Sequence, residues 1–302
     1  QTEGSALQPN PPAWPESVHV FEPGQEDLIS AVVGQAFAMN GGHVPIDHGQ
    51  FSDLRFAFLF KPGRYKVDVP VGYYTQVLGL GQHPGDVVFD SPKGVHCDEG
   101  DQTDRGGALN TFWRGAENFR QAGALQWAAS QASPLRRVLV DGDLELSELI
   151  PGVGVGYSSG GFLGNSEVRG RVLSGSQQQW CTRNAAVAGW PQAGWNMVFI
   201  GSTGVPPTHC GQSHGRKAAV TLEATPVMAE KPFITIDGSG KYRLHIPHVQ
   251  RGRVGPDFGS GRAVDFGSVH VANATSSAAA INRHLRAGLH VVLAPGAYRL
   301  EA

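Results

Sequence analysis

The feature that most constrains this chain is a long series of short apolar runs, each closed by glycine, aspartate or asparagine. The runs begin at Phe56 and recur as far as Leu222, and they are rich in Val, Phe, Tyr and Leu. Many are apolar on consecutive residues, without the strict alternation or Asn-Gly turns of simple hairpins. With 41 glycines and 20 prolines in 302 residues, turns must be frequent. The chain is therefore predicted to be almost entirely β.

Aromatic residues followed by polar turns recur at intervals close to one coil of a parallel β-helix. Phe162, Trp180 and Phe199 are 18 and 19 residues apart. A β-helix stacks short strands so that like residues lie above like residues. We therefore predict a parallel β-helix, with Trp180 inside the coil, and the pattern alone leaves a large irregular β-sandwich open.

Helical periodicity is clear in only two stretches, 26–37 and 276–285. Each is followed by a strand and a Pro-Gly-x-Tyr turn that ends at Tyr65 or Tyr298. The first unit opens the repetitive β region, and the second begins the same step as the sequence stops. A strand in that position needs a partner for its backbone groups. We expect a linker over 1–15, an N-terminal β-helix domain over 16–275, and over 276–302 a linker helix with the first strand of a second β-helix domain.

Charge and hydropathy exclude two classes of partner. The net charge is −2 and the sequence has no basic run, so we expect no nucleic-acid partner. No apolar stretch reaches membrane-spanning length, so we expect no membrane partner. Residues 1–15 are polar and proline-rich, as is a segment left after removal of a signal peptide, which favours secretion.

Metal and cofactor motifs give little support. The pairs His43 with His48 and His209 with His214 lack a third ligand at a defined spacing. The sequence has no P-loop, dinucleotide-binding fingerprint or nucleophilic serine elbow. We therefore predict no metal and no cofactor. The spacing of Cys181 and Cys210 permits a disulfide.

Two further segments carry a family resemblance. Tyr74–Gly81 (YTQVLGLG), Ser174–Trp180 (SGSQQQW) and the Pro-Gly-x-Tyr turns resemble glycoside hydrolase family 55, and above all its actinobacterial branch. These proteins are exo-β-1,3-glucanases built from tandem β-helices. Over about 16–302, the resemblance implies the first of two right-handed, pectate-lyase-like β-helices. It also implies a polysaccharide substrate and, as partner, the C-terminal half of the same protein.

The resemblance implies an inverting mechanism whose general acid, a glutamate, lies on the second β-helix beyond residue 302. The water-holding residues of the family match Gln177, Gln179 and Ser202. Residues i and i+2 of a strand share a face, so Gln177 and Gln179 are expected to clamp one water molecule. An amide orients water but is not basic enough to deprotonate it, so a relay is needed. Asp141 and Asp143 are the best candidates for that relay, and a structural ladder of stacked glutamines remains the alternative.

Substrate contacts are expected from aromatic residues in turn-rich stretches, because an indole or phenol can cover the apolar face of a sugar ring. For each of them singly, core packing is the alternative interpretation. The candidates are Tyr73, Tyr74, Trp113, Tyr157 and Trp195, with Trp190 considered beside them.

The predicted function is that of a secreted carbohydrate-active hydrolase acting on a polysaccharide, with β-1,3-glucan as the expected substrate. Two alternatives remain open. A polysaccharide lyase or fructotransferase-type β-helix enzyme would use the carboxylates of 98–104 or 141–148 for Ca²⁺ and Arg136 or Arg137 as base. A non-catalytic β-helix would bind polysaccharide on its flat faces.

Overall fold

A computed structural model describes residues 7–42, 48–98, 107–192, 194–211, 218–259 and 261–301. No helix within these ranges is long and apolar enough to cross a membrane. The first elements in chain order are β1 (Val18–Phe21), α1 (Glu26–Asn40), β2 (Phe56–Phe60), β3 (Gly63–Tyr65), β4 (Val69–Pro70), β5 (Thr75–Gly79), β6 (Val87–Phe89), β7 (Val95–His96), β8 (Gly107–Ala108), β9 (Gly115–Gln121), β10 (Leu125–Gln126), β11 (Pro134–Val140) and β12 (Leu144–Glu145). They are followed by β13 (Leu149–Ile150), β14 (Gly154–Val155), β15 (Tyr157–Ser158), β16 (Phe162–Leu173), β17 (Gln179–Gln192), β18 (Asn196–Ile200), β19 (Ala219–Leu222), β20 (Thr225–Met228), β21 (Phe233–Ile236), β22 (Tyr242–Ile246), β23 (Gln250–Arg253), β24 (Arg262–Asp265), β25 (Val269–Ala272), α2 (Ala278–Arg286) and β26 (His290–Leu293).

The main sheet runs in the order β1-β2-β5-β9-β11-β16-β17-β18-β19, and every neighbouring pair along this path is parallel. Shorter parallel pairs also occur: β10 pairs with β12 within the same sheet, and β4 pairs with β7 apart from it. The chain therefore returns in the same direction once per coil. This pairing is consistent with the predicted parallel β-helix and differs from the antiparallel pairing of a sandwich.

Inward side chains of successive coils stack in register and form the main core. Leu135 pairs with Leu163, Leu163 with Thr182 and Thr182 with Phe199, and all four side chains are fully buried. Trp180 is also in this core, as predicted. The three aromatics of the spacing argument do not form one column, because Cys181 and not Trp180 lies beside Phe162. Phe162 consequently faces outward.

One corner of the coils is built from residues in the left-handed backbone region. Asn118, Arg137, Asn165 and Asn184 lie on four consecutive strands of the main sheet and have φ values of 61°, 51°, 49° and 53°. Asparagine tolerates this conformation because its short side chain hydrogen-bonds locally. Asn118, for example, donates from Nδ2 to the carbonyl oxygens of Gly79 and Gly81 at 2.8 and 2.7 Å.

An antiparallel segment follows the coils and is called the strap here. It comprises β20 to β24, in which β20 pairs with β23 and β22 pairs with both β21 and β24. Leu244 and Val264 of the strap pack in a second apolar cluster that includes Ala57 and Leu59 of β2. The strap therefore covers the outer face of the first strands of the main sheet.

The two Pro-Gly-x-Tyr units have the same structure, as their sequence similarity predicts. In each unit a helix connects two parallel strands, β1 to β2 and β25 to β26. The hydroxyl of Tyr65 donates to the carbonyls of Phe21 and Lys61, and that of Tyr298 donates to those of Ala272 and Ala294. Each tyrosine thus ties the last residue of the first strand to the residue that follows the second strand.

The fold is therefore all-β, with mostly parallel strands in one large sheet and few helices, as predicted. All three cysteines, Cys97, Cys181 and Cys210, are free thiols. The disulfide that the spacing of Cys181 and Cys210 permitted is not formed.

Candidate functional site

A groove of about 770 Å³ lies on the outer face of the main sheet, beyond the edge of the strap. Its floor is a row of outward residues in register on four consecutive strands: Pro134, Phe162, Cys181 and Val198. Two glycines, Gly160 and Gly161, and Ala132 deepen it where the chain enters these strands. Polar groups at that end are Gln131, Ser133, Gln179 and Asn196. We call this feature the sheet groove.

Gln179 is exposed and lines the sheet groove at the first position of β17. Its neighbour in the next coil is Asn196, the first residue of β18, which is also exposed. Two amide side chains are therefore adjacent at one end of the groove. The sequence analysis missed Asn196, because its proximity to Gln179 depends on the length of the coil between them.

Gln177 has a different environment. Its side chain is 0% exposed; Oε1 accepts from the amide of Gly160 at 2.7 Å, and Nε2 donates to the carbonyls of Ala129 and Leu146 at 2.9 and 3.2 Å. The prediction that Gln177 and Gln179 share a face is wrong, because Gln177 precedes β17 and does not follow strand alternation. Gln177 links three neighbouring segments of the coils from inside.

Ser202 lies at the corner that contains Asn165 and Asn184, and not in the sheet groove. Its Oγ accepts from the amide of Ala185 and donates to the carbonyl of Ile200, both at 3.1 Å. Ser166 makes the equivalent bonds two coils earlier, to Val138 at 3.2 Å and Gly164 at 2.8 Å. The structure thus gives Ser202 a repeated structural contact and does not bring it together with Gln179.

Asp141 and Asp143 lie just beyond the end of β11, and about 16 Å of extended chain separates Asp141 from Arg136 in the groove. Asp141 binds Arg120 at 2.7 Å and Arg169 at 2.8 Å, and Asp143 binds Arg171 at 3.3 Å. The structure does not bring either carboxylate to the sheet groove. Their proposed role as a proton relay has no geometric support here.

The predicted aromatic contacts separate into buried and exposed groups. Tyr73 is fully buried and Trp190 is nearly so, with its indole donating to Ser174 Oγ at 2.6 Å; both are core residues. Tyr157 and Trp195 are 56% and 57% exposed, but neither lines the sheet groove.

Tyr74 and Trp113 form an aromatic stack along the corner that leads to the sheet groove. Their rings are 5.5 Å apart and nearly parallel, and the Arg55 guanidinium lies 3.5 Å from the Tyr74 ring centre. The exposed ring of Phe51 lies 6.4 Å from the Trp113 ring, centre to centre. Trp113 and Ala132 occupy equivalent positions of adjacent coils, with φ of 57° and 50°. The stack is therefore one coil away from the groove.

A row of charged residues runs beside the groove floor on the same face. Glu117 of β9 lies next to Arg136 of β11, and Arg183 lies two strands further. The strap reaches this row with two consecutive residues. Lys231 binds Glu117, and Glu230 binds Arg183 at 2.9 Å. Burial lowers the pKa of Arg136, with the charge of Arg183 acting in the same direction.

No three His, Cys, Asp or Glu side chains in the described ranges come together as a metal site. His43, His214 and the carboxylates of 99–104 lie outside those ranges. The described residues also line a mainly apolar cavity of about 780 Å³ between the strap, β2, β5 and β26, and a cavity of about 330 Å³ beside Glu145 and Glu148. Burial raises the pKa of Glu145, and Asp143 adds to this effect.

Comparison with known proteins gives a relative over nearly the whole chain. The chain is 35% identical over 306 aligned residues to an exo-beta-1,3-glucanase of Streptomyces sp. (strain SirexAA-E / ActE). The predicted resemblance to glycoside hydrolase family 55 is confirmed. The match covers 99% of this chain and 46% of the relative, so the chain spans about half the relative's length. No family model matches.

Solved structures agree with this match. The structure of sacteLam55A from Streptomyces sp. SirexAA-E superimposes with a TM-score of 0.84 at 34% identity, covering 98% of this chain and 51% of that one. A variant of the same protein in complex with glucose gives the same values. The coils, strap and repeated helix units described above are thus shared in outline with half of a glucanase.

Proposed function

We propose that this chain is the water-positioning half of an extracellular enzyme that hydrolyses β-1,3-glucan with inversion. The observation that carries the proposal is the sheet groove with two exposed amides at one end, on a chain that aligns over its length with half of an exo-beta-1,3-glucanase. The other half of the protein would be the partner that completes the site, in a tandem arrangement of two right-handed, pectate-lyase-like β-helices.

In the proposed mechanism Gln179 and Asn196 orient the attacking water. Amide oxygens accept hydrogen bonds from water and direct its lone pair, but they are too weakly basic to take its proton. Gln177 supports the groove from below through its bond to Gly160. This assignment replaces the Gln177 and Ser202 roles that the resemblance implied.

Inverting hydrolysis also needs two carboxyl functions, about 6.5–9.5 Å apart, on either side of the glycosidic bond. Among the described residues, no Asp or Glu lines the sheet groove. The nearest candidates, Glu117 and Glu230, are bound to Lys231 and Arg183. The general acid and the final proton acceptor are therefore proposed to come from the part of the protein beyond residue 302.

The Trp113 and Tyr74 stack would hold sugar residues further along the same corner. An exposed indole covers the apolar face of a pyranose at low entropic cost. Strands of neighbouring coils are about 4.8 Å apart, and the stack is one coil from the groove. A glucan chain that lies across the coils would therefore reach both the groove and the stack. Catalysis and chain binding would then use one continuous surface.

The test is hydrolysis of laminarin by the full-length protein, followed by proton NMR from the first minutes. The α-anomer should appear first. A β-anomer appearing first would overturn the inverting mechanism. Binding of laminarin without any turnover would instead favour a polysaccharide-binding β-helix that is not an enzyme.

A further inference from the structure

Among the described residues, Arg136 has no ion-pair partner in a row of otherwise paired charges. Lys231 binds both carboxylate oxygens of Glu117, at 2.7 and 2.8 Å, although Glu117 lies next to Arg136 in the sheet. Arg183, further along the row, is bound by Glu230. Within the described ranges, the side chain of Arg136 makes no ion pair and no hydrogen bond. The strap thus pairs the charged neighbours of Arg136, and the five N–H donors of the Arg136 guanidinium have no acceptor among the described residues.

The guanidinium of Arg136 is nevertheless held in place. Its Cζ lies 4.4 Å from the centre of the Phe162 ring, on the groove floor. Gly164 makes room for this arrangement, since a Cβ added there would be 2.4 Å from Cε1 of Phe162 and 3.5 Å from Nη1 of Arg136. The ring of Phe162 and the nearby charges of Glu117 and Glu230 favour the cation at this half-buried position, but none of them accepts a hydrogen bond from it. A bound ligand would supply the acceptor.

We propose that Arg136 binds the substrate in the sheet groove, donating hydrogen bonds to neighbouring hydroxyl oxygens of the glucosyl residue that lies beside Phe162. The assignment rests on the proposed function. Glu117 and Glu230 are close enough to favour the charged form of Arg136, and their negative charge opposes an anionic ligand. The forked geometry of the guanidinium suits two oxygens on adjacent sugar carbons.

The experiment measures kcat and KM of the full-length protein on short laminari-oligosaccharides. Arg136→Ala should lower kcat/KM about 10- to 100-fold, the effect of losing a hydrogen bond to a charged group, with Tm unchanged or raised. Arg136→Lys should restore only part of the loss, because it cannot form the fork or the stack. The matched control is Arg171→Ala, which removes an exposed arginine that does not line the groove, and it should behave as wild type.

A second variant keeps the arginine and disturbs its support. Gly164→Ala should push the Phe162 ring aside and lower kcat/KM to a similar degree, and adding Arg136→Ala should cost little more. A merely structural role for Arg136 predicts a lower Tm with an unchanged KM, and that result would overturn the proposal.

The remaining outcomes separate this proposal from the proposed function. If the wild type hydrolyses laminarin and Arg136→Ala does so equally well, the Arg136 assignment is wrong and the function stands. If the wild type binds laminarin without hydrolysis and Arg136→Ala loses that binding, the enzyme proposal fails and Arg136 remains a ligand-binding residue. No binding and no hydrolysis by the wild type would refute both. A loss seen only with sulfated laminarin would refute the choice of neutral hydroxyls.

Discussion

Replacing Gln177 by alanine should destabilise the protein, whereas replacing Gln179 should mainly reduce turnover. Gln177 fills a fully buried position and makes three hydrogen bonds to backbone groups of Gly160, Ala129 and Leu146. The alanine variant leaves one N–H group and two carbonyls buried without these partners. Each such group costs about 1–3 kcal/mol.

The expected loss for Gln177→Ala is therefore about 3 kcal/mol or more, with an added contribution from the cavity left by the missing atoms. Gln179 is exposed in the groove and has no hydrogen bond to lose among the described residues. Gln179→Ala should change the free energy of unfolding by less than about 0.5 kcal/mol. Its turnover should fall by about 100-fold, because the attacking water loses its near-attack position.

The assay compares denaturant unfolding with laminarin turnover per folded molecule in the same preparations. Gln178→Ala is the control, because Gln178 is exposed and lies between the two positions. It should match wild type in both measurements. If Gln177→Ala unfolded at the same denaturant concentration as Gln178→Ala, the interior role of Gln177 would be refuted.

Three other predictions concern the corner, the strap and the aromatic stack. Asn165→Ala should lower the free energy of unfolding by about 3 kcal/mol in denaturant titrations, because Asn165 makes two hydrogen bonds to the Asp257 backbone (2.8 and 2.6 Å) and has a left-handed φ. Asn165→Gly should lower it by about 1 kcal/mol less, because glycine adopts this φ without strain. Equal losses for the two variants would refute the contribution of the backbone conformation. The hydrogen bond from Gly259 keeps the pKa of Asp257 below its usual 3.8. The stability that this carboxylate adds should therefore be present above pH 4 and be lost as the pH falls through the lowered pKa. In urea titrations from pH 7 to 2, Asp257→Asn should abolish that part of the acid dependence of the free energy of unfolding. Trp113→Ala should raise KM for long glucans more than for laminaribiose, and an equal change for both would place Trp113 outside the substrate path.

The sequence predicted those parts of the fold that depend on local pattern. Runs of apolar residues closed by turn residues gave the strands, and the Pro-Gly-x-Tyr similarity gave two units whose tyrosines make matching hydrogen bonds. Burial of Trp180 followed from strand alternation. These features need only the chemistry of neighbouring residues, so one sequence is enough to recognise them.

The site was less predictable because it depends on register between coils. Motif matching placed Gln177 and Ser202 beside Gln179. Gln177 is inside the coil, however, and Ser202 follows the far end of β18, the strand that begins at Asn196. Strand alternation applies only within a strand, and β17 begins at Gln179. The neighbour of Gln179 is Asn196, which no motif contained.

The strap shows why a groove exists at this place on the sheet. Its apolar residues cover Ala57 and Leu59, so the outer face of β2 is part of a core. At Glu230 and Lys231 the strap changes from apolar cover to ion pairing, and beyond them Val198 is 36% exposed on the same face. A sheet face that is apolar but left uncovered favours binding of a ligand or partner. The position at which the strap stops covering the sheet therefore determines which coils form the groove. Arg136 and Phe162 lie in the groove beside the ion pairs of the strap.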